Sequence, residues 1–421
     1  MASTMSDFLD ELETADPEAR ERRQFAALGE QIAHARRSAP AFASALADVD
    51  PAVVTDRATL ARLPVIRKSE LMERQSAGPD THRPFGGLTA LESGRLARIF
   101  VSPGPIYDPE GRRGDWWRMA RALWAAGFRR GDIIHNCFSY HFTPAGMMLE
   151  TGAHEIGCAV VPAGVGNTEQ QVRAIADIRP TGYVGTPSFL KIILDKGAEL
   201  GTDLSSLRRA LVSGEALPAA LRGELAGRGL DVRQCYATAD LGLIAYESIP
   251  DAGLILDEWV IVEILRPGTG TPVAPGEVGE VVVTTLNPDY PLIRFATGDL
   301  SLLLPGTSAC GRTGPRLKGW MGRADQTTKI RGLFVHPSQV AEIARRHAPV
   351  GRYRLVAGRD GTNDTMEFRA EVALGDRSDG LAAAIGETIQ AVTKLRARVA
   401  FVDAGNLPND GKVIEDTRSH G

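Results

Sequence analysis

The residues best suited to chemistry lie in two charged turns in the last third of the sequence. The first reads IRFATGDL and contains Arg294 and Asp299, and the second reads GRADQTTKIRG and runs from Gly322 to Gly332. Carboxylates in tight turns accept hydrogen bonds from sugar hydroxyls, and arginines bind phosphate or carboxylate groups. The two turns together predict a nucleotide site.

A second group of polar residues follows predicted strands. Alternating strand and helix patterns between Asp132 and Val212 predict a parallel sheet covered by helices. Ligands of such sheets bind beyond the carboxyl ends of the strands. The residues expected there are Ser139-Tyr140-His141, Thr186-Pro187-Ser188, Ser213-Gly214-Glu215 and Tyr236-Ala237-Thr238.

The positioning elements follow from hydrophobic periodicity. Strands are predicted at 132–136, 157–162, 182–184 and 210–212, and helices at 114–127, 143–156, 168–178 and 188–200. After Tyr246, alternating strands at 259–265 and 278–285 predict a small antiparallel unit. From Asp325 onward the order strand, helix, strand, strand, helix, strand predicts a separate α+β domain. The expected domains are therefore 1–322 and 325–421, with a hinge at 322–325.

Length and composition restrict the class of protein. The chain has 421 residues, too many for one ordinary core. Hydrophobic residues make up 43%, charged residues 24%, and the net charge is −4, which predicts a soluble globular protein without a nucleic-acid or membrane partner. An acidic N-terminus without an apolar core predicts no signal peptide. Four cysteines without a CxxC pair favour a cytoplasmic location.

Seven blocks in order carry a resemblance to a known family. They include GTPSFLKII, VSGEALP, YATADLG, LNPDYPLIRFATGDL and LPNDGKV. In this order and spacing the sequence, from about Leu63 to its end, resembles the phenylacetate–coenzyme A ligase family. That family belongs to the adenylate-forming superfamily of acyl-CoA synthetases, luciferases and peptide-synthetase adenylation domains. The resemblance implies a large adenylation domain and a small mobile C-terminal α+β domain.

The resemblance also implies a two-step reaction with ATP, a carboxylic acid and coenzyme A. The carboxylate attacks the α-phosphate of ATP and gives an acyl adenylate and pyrophosphate. The small domain then rotates, and the thiol of coenzyme A attacks the acyl carbonyl and expels AMP.

Specific residues of this sequence match the nucleotide motifs of the family. The resemblance assigns nucleotide binding to Ser213, Gly214, Glu215, Tyr236 and Ala237. Gly214 and Glu215 would present backbone to the adenine, and Tyr236 would stack on it. Thr238 would bind phosphate, and Asp240 stands where the family has a glutamate that holds Mg²⁺, a cation that prefers oxygen ligands.

The remaining assignments concern the ribose, the small domain and the acyl group. Asp299 would bind the ribose hydroxyls with help from Arg323, and Arg331 would meet phosphate. Lys412 would spread the charge that develops during adenylation, and Asp325 would lie at the hinge. Phe138, Tyr140, His141 and Tyr183 are the candidates for the acyl pocket, expected to suit an aryl or medium acyl group. Ordinary core packing is the alternative for these four side chains.

The sequence departs from the family in the loop that should hold the β- and γ-phosphates. Ser102 and Gly104 align with this loop, but Pro105 and Ile106 replace two threonines. Proline lacks an amide donor, isoleucine lacks a hydroxyl, and Asp108 adds a negative charge near a triphosphate. The departure weakens the inference to ATP-driven ligation. Since Cys310 has no partner ligands in the pattern, no zinc is expected.

Three functions therefore stay open. The first is an aryl- or acyl-CoA ligase, and the second is an adenylating enzyme with another acceptor. The third is a homologue that binds nucleotide or acyl-CoA and has altered or lost ATP-driven chemistry. The partner implied by the resemblance is a small carboxylic acid, and members of the family are often homodimers.

Overall fold

The computed structural model describes residues 7–76, 85–102, 106–331, 333–360, 363–408 and 412–418. The fold is mixed α/β, as predicted from the alternating patterns. The chain divides into two compact units: a larger unit, Met1–Thr297 with Leu302–Trp320, and a smaller unit, Gly298–Ser301 with Met321–Gly421. The hinge expected at 322–325 is close in sequence to this division and stays a prediction.

The larger unit contains most of the helices and strands. Its helices are α1 (Pro17–Ser38), α2 (Pro40–Ala45), α3 (Arg57–Leu60), α4 (Lys68–Ser76), α5 (Met119–Ala125), α6 (Ala145–Glu155), α7 (Thr168–Ile178), α8 (Pro187–Glu199) and α9 (Ala219–Gly227). Its strands are β1 (Ile66–Arg67), β2 (Leu96–Ser102), β3 (Ile106–Gly111), β4 (Ile133–Asn136), β5 (Ala159–Pro162), β6 (Gly182–Gly185), β7 (Arg209–Val212), β8 (Asp231–Thr238), β9 (Gly242–Tyr246), β10 (Leu254–Leu256), β11 (Val260–Leu265), β12 (Gly279–Thr285), β13 (Phe295–Ser301, which continues into the smaller unit), β14 (Leu303–Leu304) and β15 (Arg316–Leu317).

A nine-stranded sheet forms the centre of the larger unit, in the order β14-β15-β10-β9-β8-β7-β6-β4-β5. Strands β5, β4, β6, β7 and β8 run parallel, as the alternating strand and helix patterns predict. The chain then reverses, because β9 pairs antiparallel with β8. The predicted antiparallel unit is also present, since β11 and β12 pair antiparallel in a second, four-stranded sheet.

One helix is shorter than its sequence pattern. A helix was expected over 114–127, but α5 begins at Met119. Asp115 and Arg118 have φ values of +41° and +64°, which interrupt a right-handed helix. The Asp115 carboxylate instead accepts hydrogen bonds from the amides of Met119 (2.7 Å) and Ala120 (3.0 Å). These contacts supply partners for amides of the first helical turn.

The smaller unit has its own sheet and core. Its elements are β16 (Thr328–Ile330), β17 (Leu333–Val335), α10 (Pro337–Arg345), β18 (Tyr353–Asp360), β19 (Asn363–Glu371), α11 (Asp379–Thr393), β20 (Arg398–Val402) and β21 (Ile414–Asp416). The four-stranded sheet has the order β20-β19-β18-β21. Helices α10 and α11 add Val340, Ile343, Ile385 and Ile389 to a core that also contains Phe368. In the described part of the chain, no helix is both long and apolar enough to span a bilayer.

Candidate active site

The turn after β7 presents exposed backbone at the carboxyl edge of the sheet. Gly214 has a φ of +82°, a conformation that glycine adopts without steric cost. A Cβ atom at this position would lie 3.7 Å from the Thr186 methyl group and 3.8 Å from the Phe138 ring. The Ser213 hydroxyl donates to the carbonyl of Cys235 (2.8 Å), which ties this turn to β8. The geometry leaves the peptide at Gly214 open to a flat ligand.

Glu215 is held by the helix that follows the neighbouring strand. Its carboxylate accepts a hydrogen bond from the amide of Ser188 (2.9 Å), in the first turn of α8. Carboxylates at helix N-termini are favourable, because the first amides have no partner inside the helix. The side chain of Glu215 is therefore engaged with the protein, and its backbone is the part available to a ligand.

Tyr236, Ala237 and Thr238 lie at the end of β8 and are half-buried. The Tyr236 hydroxyl donates to Thr297 Oγ (3.2 Å), and the Thr297 hydroxyl donates to the carbonyl of Val281 (3.0 Å). Thr238 Oγ accepts from the amide of Leu241 (3.2 Å). The pairing of β8 with β9 shifts between Tyr236 and Ala237, as in a β-bulge. Bulges redirect side chains and are frequent next to active sites.

A buried charged cluster lies beyond Thr238. The Lys68 ammonium is 2.6 Å from Asp240 Oδ2, whose side chain is fully buried. Asp108, on β3, packs against the same carboxylate. Burial, and then the charge of Asp240, raise the pKa of Asp108 to about 8. Sequence reasoning missed Lys68, and it treated Asp108 only as an unfavourable charge.

This cluster contains two carboxylates that could hold a cation. The carboxylates of Asp240 and Asp108 are hard oxygen ligands of the kind Mg²⁺ prefers. No set of three or more histidine, cysteine, aspartate or glutamate side chains suited to a metal occurs in the described residues. A cation here would therefore need other ligands, such as water or phosphate oxygens.

Only part of the degenerate phosphate loop is described. Ser102 is buried, and its hydroxyl donates to the carbonyl of Ile106 (3.4 Å). Gly104, the other residue aligned with this loop, lies outside the described residues.

In the smaller unit, Asp299 and Arg323 form an ion pair. Arg323 Nη1 donates to Asp299 Oδ1 at 3.1 Å, and the two backbones are joined by an antiparallel bridge. Gly298, with a φ of +76°, allows the close approach, because its Cβ would lie 2.6 Å from the guanidinium of Arg323. The structure thus brings together the acidic and basic residues of the two turns.

The other predicted residues of the smaller unit lie farther along the chain. Arg331 is exposed, and its amide and Nε donate to Asp364 at 3.1 and 3.0 Å. Lys412 is also exposed, and Asp325 belongs to a 3₁₀ turn, Ala324–Gln326. Their functional roles stay predictions.

The four side chains assigned to the acyl pocket have different environments. Phe138 is buried beside Gly214, and His141 is exposed. Tyr140 is half-buried and donates to Glu150 (2.7 Å) while accepting from Asn136 (2.8 Å).

Tyr183, in contrast, is fully buried in the core, and its hydroxyl donates to the carbonyl of Thr186 (3.0 Å). Its environment fits core packing, the alternative that the sequence left open. An acyl pocket on this edge therefore depends on Phe138, Tyr140 and His141.

Arg294, part of the first charged turn, is a structural residue. It is 1% exposed, has a φ of +49°, and donates to both carboxylate oxygens of Glu263 at 2.9 Å. Its guanidinium also donates to the carbonyls of Ala61 (2.9 Å), Leu63 and Gly270 (3.0 Å). The expectation that this arginine binds a nucleotide is wrong, because its guanidinium is buried and hydrogen-bonds Glu263 and backbone carbonyls of the core.

The described residues also form a cleft that the sequence did not indicate. Its volume is about 840 Å³, and it contains none of the residues that the resemblance assigns to the nucleotide or to the acyl group. The lining combines cationic, acidic and aromatic side chains, namely Arg113, Asp115, Arg118, Arg121, Trp124 and Trp259.

Comparison with known proteins identifies the family. Residues 114–287 match the family model described as AMP-binding enzyme. A phenylacetate-coenzyme A ligase of Thermus thermophilus is 32% identical over 381 residues, covering 86% of this chain and 84% of the relative. The enzyme of that name from Escherichia coli is 30% identical over 434 residues, with 96% of each chain covered.

A solved structure shows the same fold. An open conformation of 2-hydroxyisobutyryl-CoA ligase, in complex with its acyl adenylate and CoA, matches with a TM-score of 0.85 and 22% identity, over 99% of this chain and 96% of that chain. The chain, as its motifs predicted, belongs to the phenylacetate–coenzyme A ligase family of adenylate-forming enzymes.

Proposed function

We propose that the chain is an AMP-forming ligase that activates an aryl or aryl-acetic acid as its acyl adenylate and transfers it to coenzyme A. The observation that carries the proposal is the set of residues at the ends of β7 and β8 in a member of this family. An open glycine peptide, a fixed tyrosine ring and a buried carboxylate occur there together, at Gly214, Tyr236 and Asp240.

Each unit contributes different roles to the proposed reaction. In the larger unit, the Gly214 and Glu215 backbone and the Tyr236 ring would hold the adenine, and Thr238 would donate to phosphate. Phe138, Tyr140 and His141 would contact the acyl group. In the smaller unit, Asp299 would accept hydrogen bonds from the ribose hydroxyls while Arg323 orients it.

Two further groups would stabilise the charge that develops during adenylation. Lys412 would sit near the attacking carboxylate and the α-phosphate. Asp240 would hold Mg²⁺, which, when bound, neutralises charge on the phosphate oxygens. The cofactors of the proposal are therefore ATP, Mg²⁺ and coenzyme A.

A panel of aryl acids, assayed with ATP and coenzyme A for AMP and pyrophosphate release, tests this function. Lys412→Ala should lower adenylation by about 10²-fold or more. It should leave thioester formation from a preformed acyl adenylate much less affected. Lys394→Ala is the matched control, since Lys394 is another exposed lysine of the smaller unit, held by the carbonyl of Ala391.

A second function is favoured by one observation, the buried Asp108 beside Asp240. When Asp108 is ionised, its negative charge opposes the binding of a triphosphate, so the chain could bind AMP or acyl-CoA without using ATP. Calorimetric binding of AMP or acyl-CoA, with no pyrophosphate released from any acid, would support this second function against the first. Pyrophosphate release with no CoA thioester in the product mass spectrum would instead indicate a different acceptor.

A further inference from the structure

Asp108 is a buried carboxyl group whose two oxygens are not fully satisfied. It is 0% exposed, and neither of its carboxylate oxygens has a hydrogen-bond partner among the described residues. Burial raises the pKa of Asp108, and the Ser102 hydroxyl, which lies within reach, opposes this rise, but the hydrogen bond of that hydroxyl goes to the carbonyl of Ile106 (3.4 Å). Burial of a carboxylate without partners is costly, so such a group requires a compensating ligand or a proton.

The neighbour of Asp108 is also incompletely satisfied. Asp240 Oδ2 contacts the Lys68 ammonium at 2.6 Å, but Asp240 Oδ1 is buried and has no hydrogen-bond partner in the described residues. Two carboxylates thus face one ammonium. Two ionised carboxylates would carry one more negative charge than the Lys68 ammonium balances. A cation bound between Asp108 and Asp240 would neutralise that charge.

An independent side chain points to a ligand at the same place. Tyr290 is 2% exposed, and its hydroxyl has no hydrogen-bond partner among the described residues. The charges of Asp108 and Asp240 both act on this hydroxyl, which places Tyr290 beside the two carboxylates. The hydroxyl therefore lies in the field of both carboxylates, and its lone pairs are available to a cation or to a water molecule bound to one.

We propose that Asp108 and Asp240 together bind one divalent cation, and that they do so without nucleotide. The proposal deepens the proposed function, because it makes Asp108, in the degenerate phosphate loop, a second carboxylate ligand. Two carboxylates bind Mg²⁺ or Mn²⁺ more tightly than one, since each adds a hard anionic oxygen. A bound cation would also offset the repulsion between Asp108 and a triphosphate.

Substitution of Lys68 should affect cation binding in the opposite direction to substitution of either carboxylate. Its ammonium contacts Asp240 Oδ2 at 2.6 Å, so it would compete with a cation for the same carboxylate. Removal of this charge should strengthen cation binding, whereas removal of either carboxylate should weaken it. Removal of a carboxylate elsewhere on the surface should leave the affinity for the cation unchanged.

The test is titration of the full-length, nucleotide-free protein with Mn²⁺, followed by calorimetry and by the EPR signal of free Mn²⁺. Wild type should bind one Mn²⁺ per chain. Asp108→Asn and Asp240→Asn should each weaken binding at least about tenfold, and Lys68→Met should tighten it several-fold. Glu199→Gln is the control, because Glu199 is an exposed carboxylate paired with Lys196.

The outcomes separate this inference from the proposed function. Absence of Mn²⁺ uptake by the wild type, or equal uptake by Asp108→Asn, overturns the inference even if the protein releases pyrophosphate. Mn²⁺ binding that depends on Asp108 supports it even if no acid is activated. If Asp108→Asn fails to fold, as judged by circular dichroism, Lys68→Met decides: unchanged or weaker binding by that variant overturns the proposal.

Discussion

Gly298 sets the position of Arg323 at the ribose end of the proposed site. Gly298 has a φ of +76°, which disfavours any other residue. A Cβ atom there would lie 2.6 Å from the Arg323 guanidinium, so a side chain fits only if the arginine moves. Gly298→Ala should therefore break the ion pair with Asp299 and raise KM for ATP roughly tenfold, as expected for loss of a charged hydrogen bond.

Gly306→Ala is the matched control, because Gly306 has a similar φ (+72°) but no atom within 4 Å of its would-be Cβ. Both variants carry the same backbone cost of about 1–2 kcal/mol. Steady-state kinetics together with thermal unfolding separate the two effects. An equal rise of KM in both variants would contradict a specific role for Gly298.

Cys310 is the cysteine with an activated environment. Burial raises its pKa, but hydrogen bonds with Ser248, Ser308 and Arg312 outweigh burial and lower the pKa below its usual value. Burial raises the pKa of Cys235, by contrast, to about 12. Because the thiolate is the nucleophile, Cys310 should be alkylated at least about tenfold faster than the three buried cysteines at pH 7.

The pH dependence follows from the sign of the shift. The alkylation rate of Cys310 should reach half its maximum at a lower pH than that of a cysteine in the unfolded chain. Ser248→Ala removes a donor to the sulfur (3.1 Å) and should move this midpoint upward. Peptide mass spectrometry after timed iodoacetamide treatment measures both effects, and an unchanged midpoint would contradict the assignment.

At the scale of elements, the Arg294–Glu263 pair joins the segment before β1 to β11 and β13. Arg294 donates to Ala61 and Leu63 on one side and to Glu263 on the other. Arg294→Met would leave the buried Glu263 carboxylate unpaired, so it should lower the free energy of unfolding by about 3–5 kcal/mol. Replacement of both residues by methionine should recover much of this loss, and denaturant unfolding measures it.

Arg179 offers a matched control for this prediction. It too has a positive φ (+55°) and forms an ion pair, with Asp203, but both members of that pair are largely exposed. Arg179→Met should change the free energy of unfolding by less than about 1 kcal/mol. Equal effects at Arg179 and Arg294 would show that backbone conformation, not the buried pair, determines the cost.

At the scale of the whole molecule, each unit has a hydrophobic core of its own. Phe368 is fully buried in the core of the smaller unit, and Phe128 in the main core of the larger one. We expect two calorimetric transitions, because separate cores unfold as separate cooperative units. Phe368→Leu should lower the temperature of one transition by about 4–8 °C, as expected for a loss of roughly 1 kcal/mol in a domain of this size.

Phe128→Leu provides the complementary measurement. It should lower the other transition and leave the first unchanged. A single transition that both substitutions shift together would contradict independent unfolding of the two cores. It would also argue against the separate domain that the sequence pattern after Asp325 predicts.

The sequence by itself determined the local architecture and the family. Helix α7 spans Thr168–Ile178, as its periodicity predicted, because an amphipathic helix depends on neighbours three and four residues apart. The placement of Ser213 and Tyr236 at strand ends followed from the same local patterns. The ordered motifs identified the phenylacetate–coenzyme A ligase family, which the relatives confirm.

Only the tertiary structure decided which polar residues meet. Lys68 and Asp240 are 172 positions apart, and Arg294 reaches a carbonyl 233 positions away. No local pattern encodes such contacts, because they depend on how distant strands and loops pack. The structure therefore turned Arg294 from a candidate ligand into a core residue, and it turned Asp108 from an isolated unfavourable charge into the partner of Asp240.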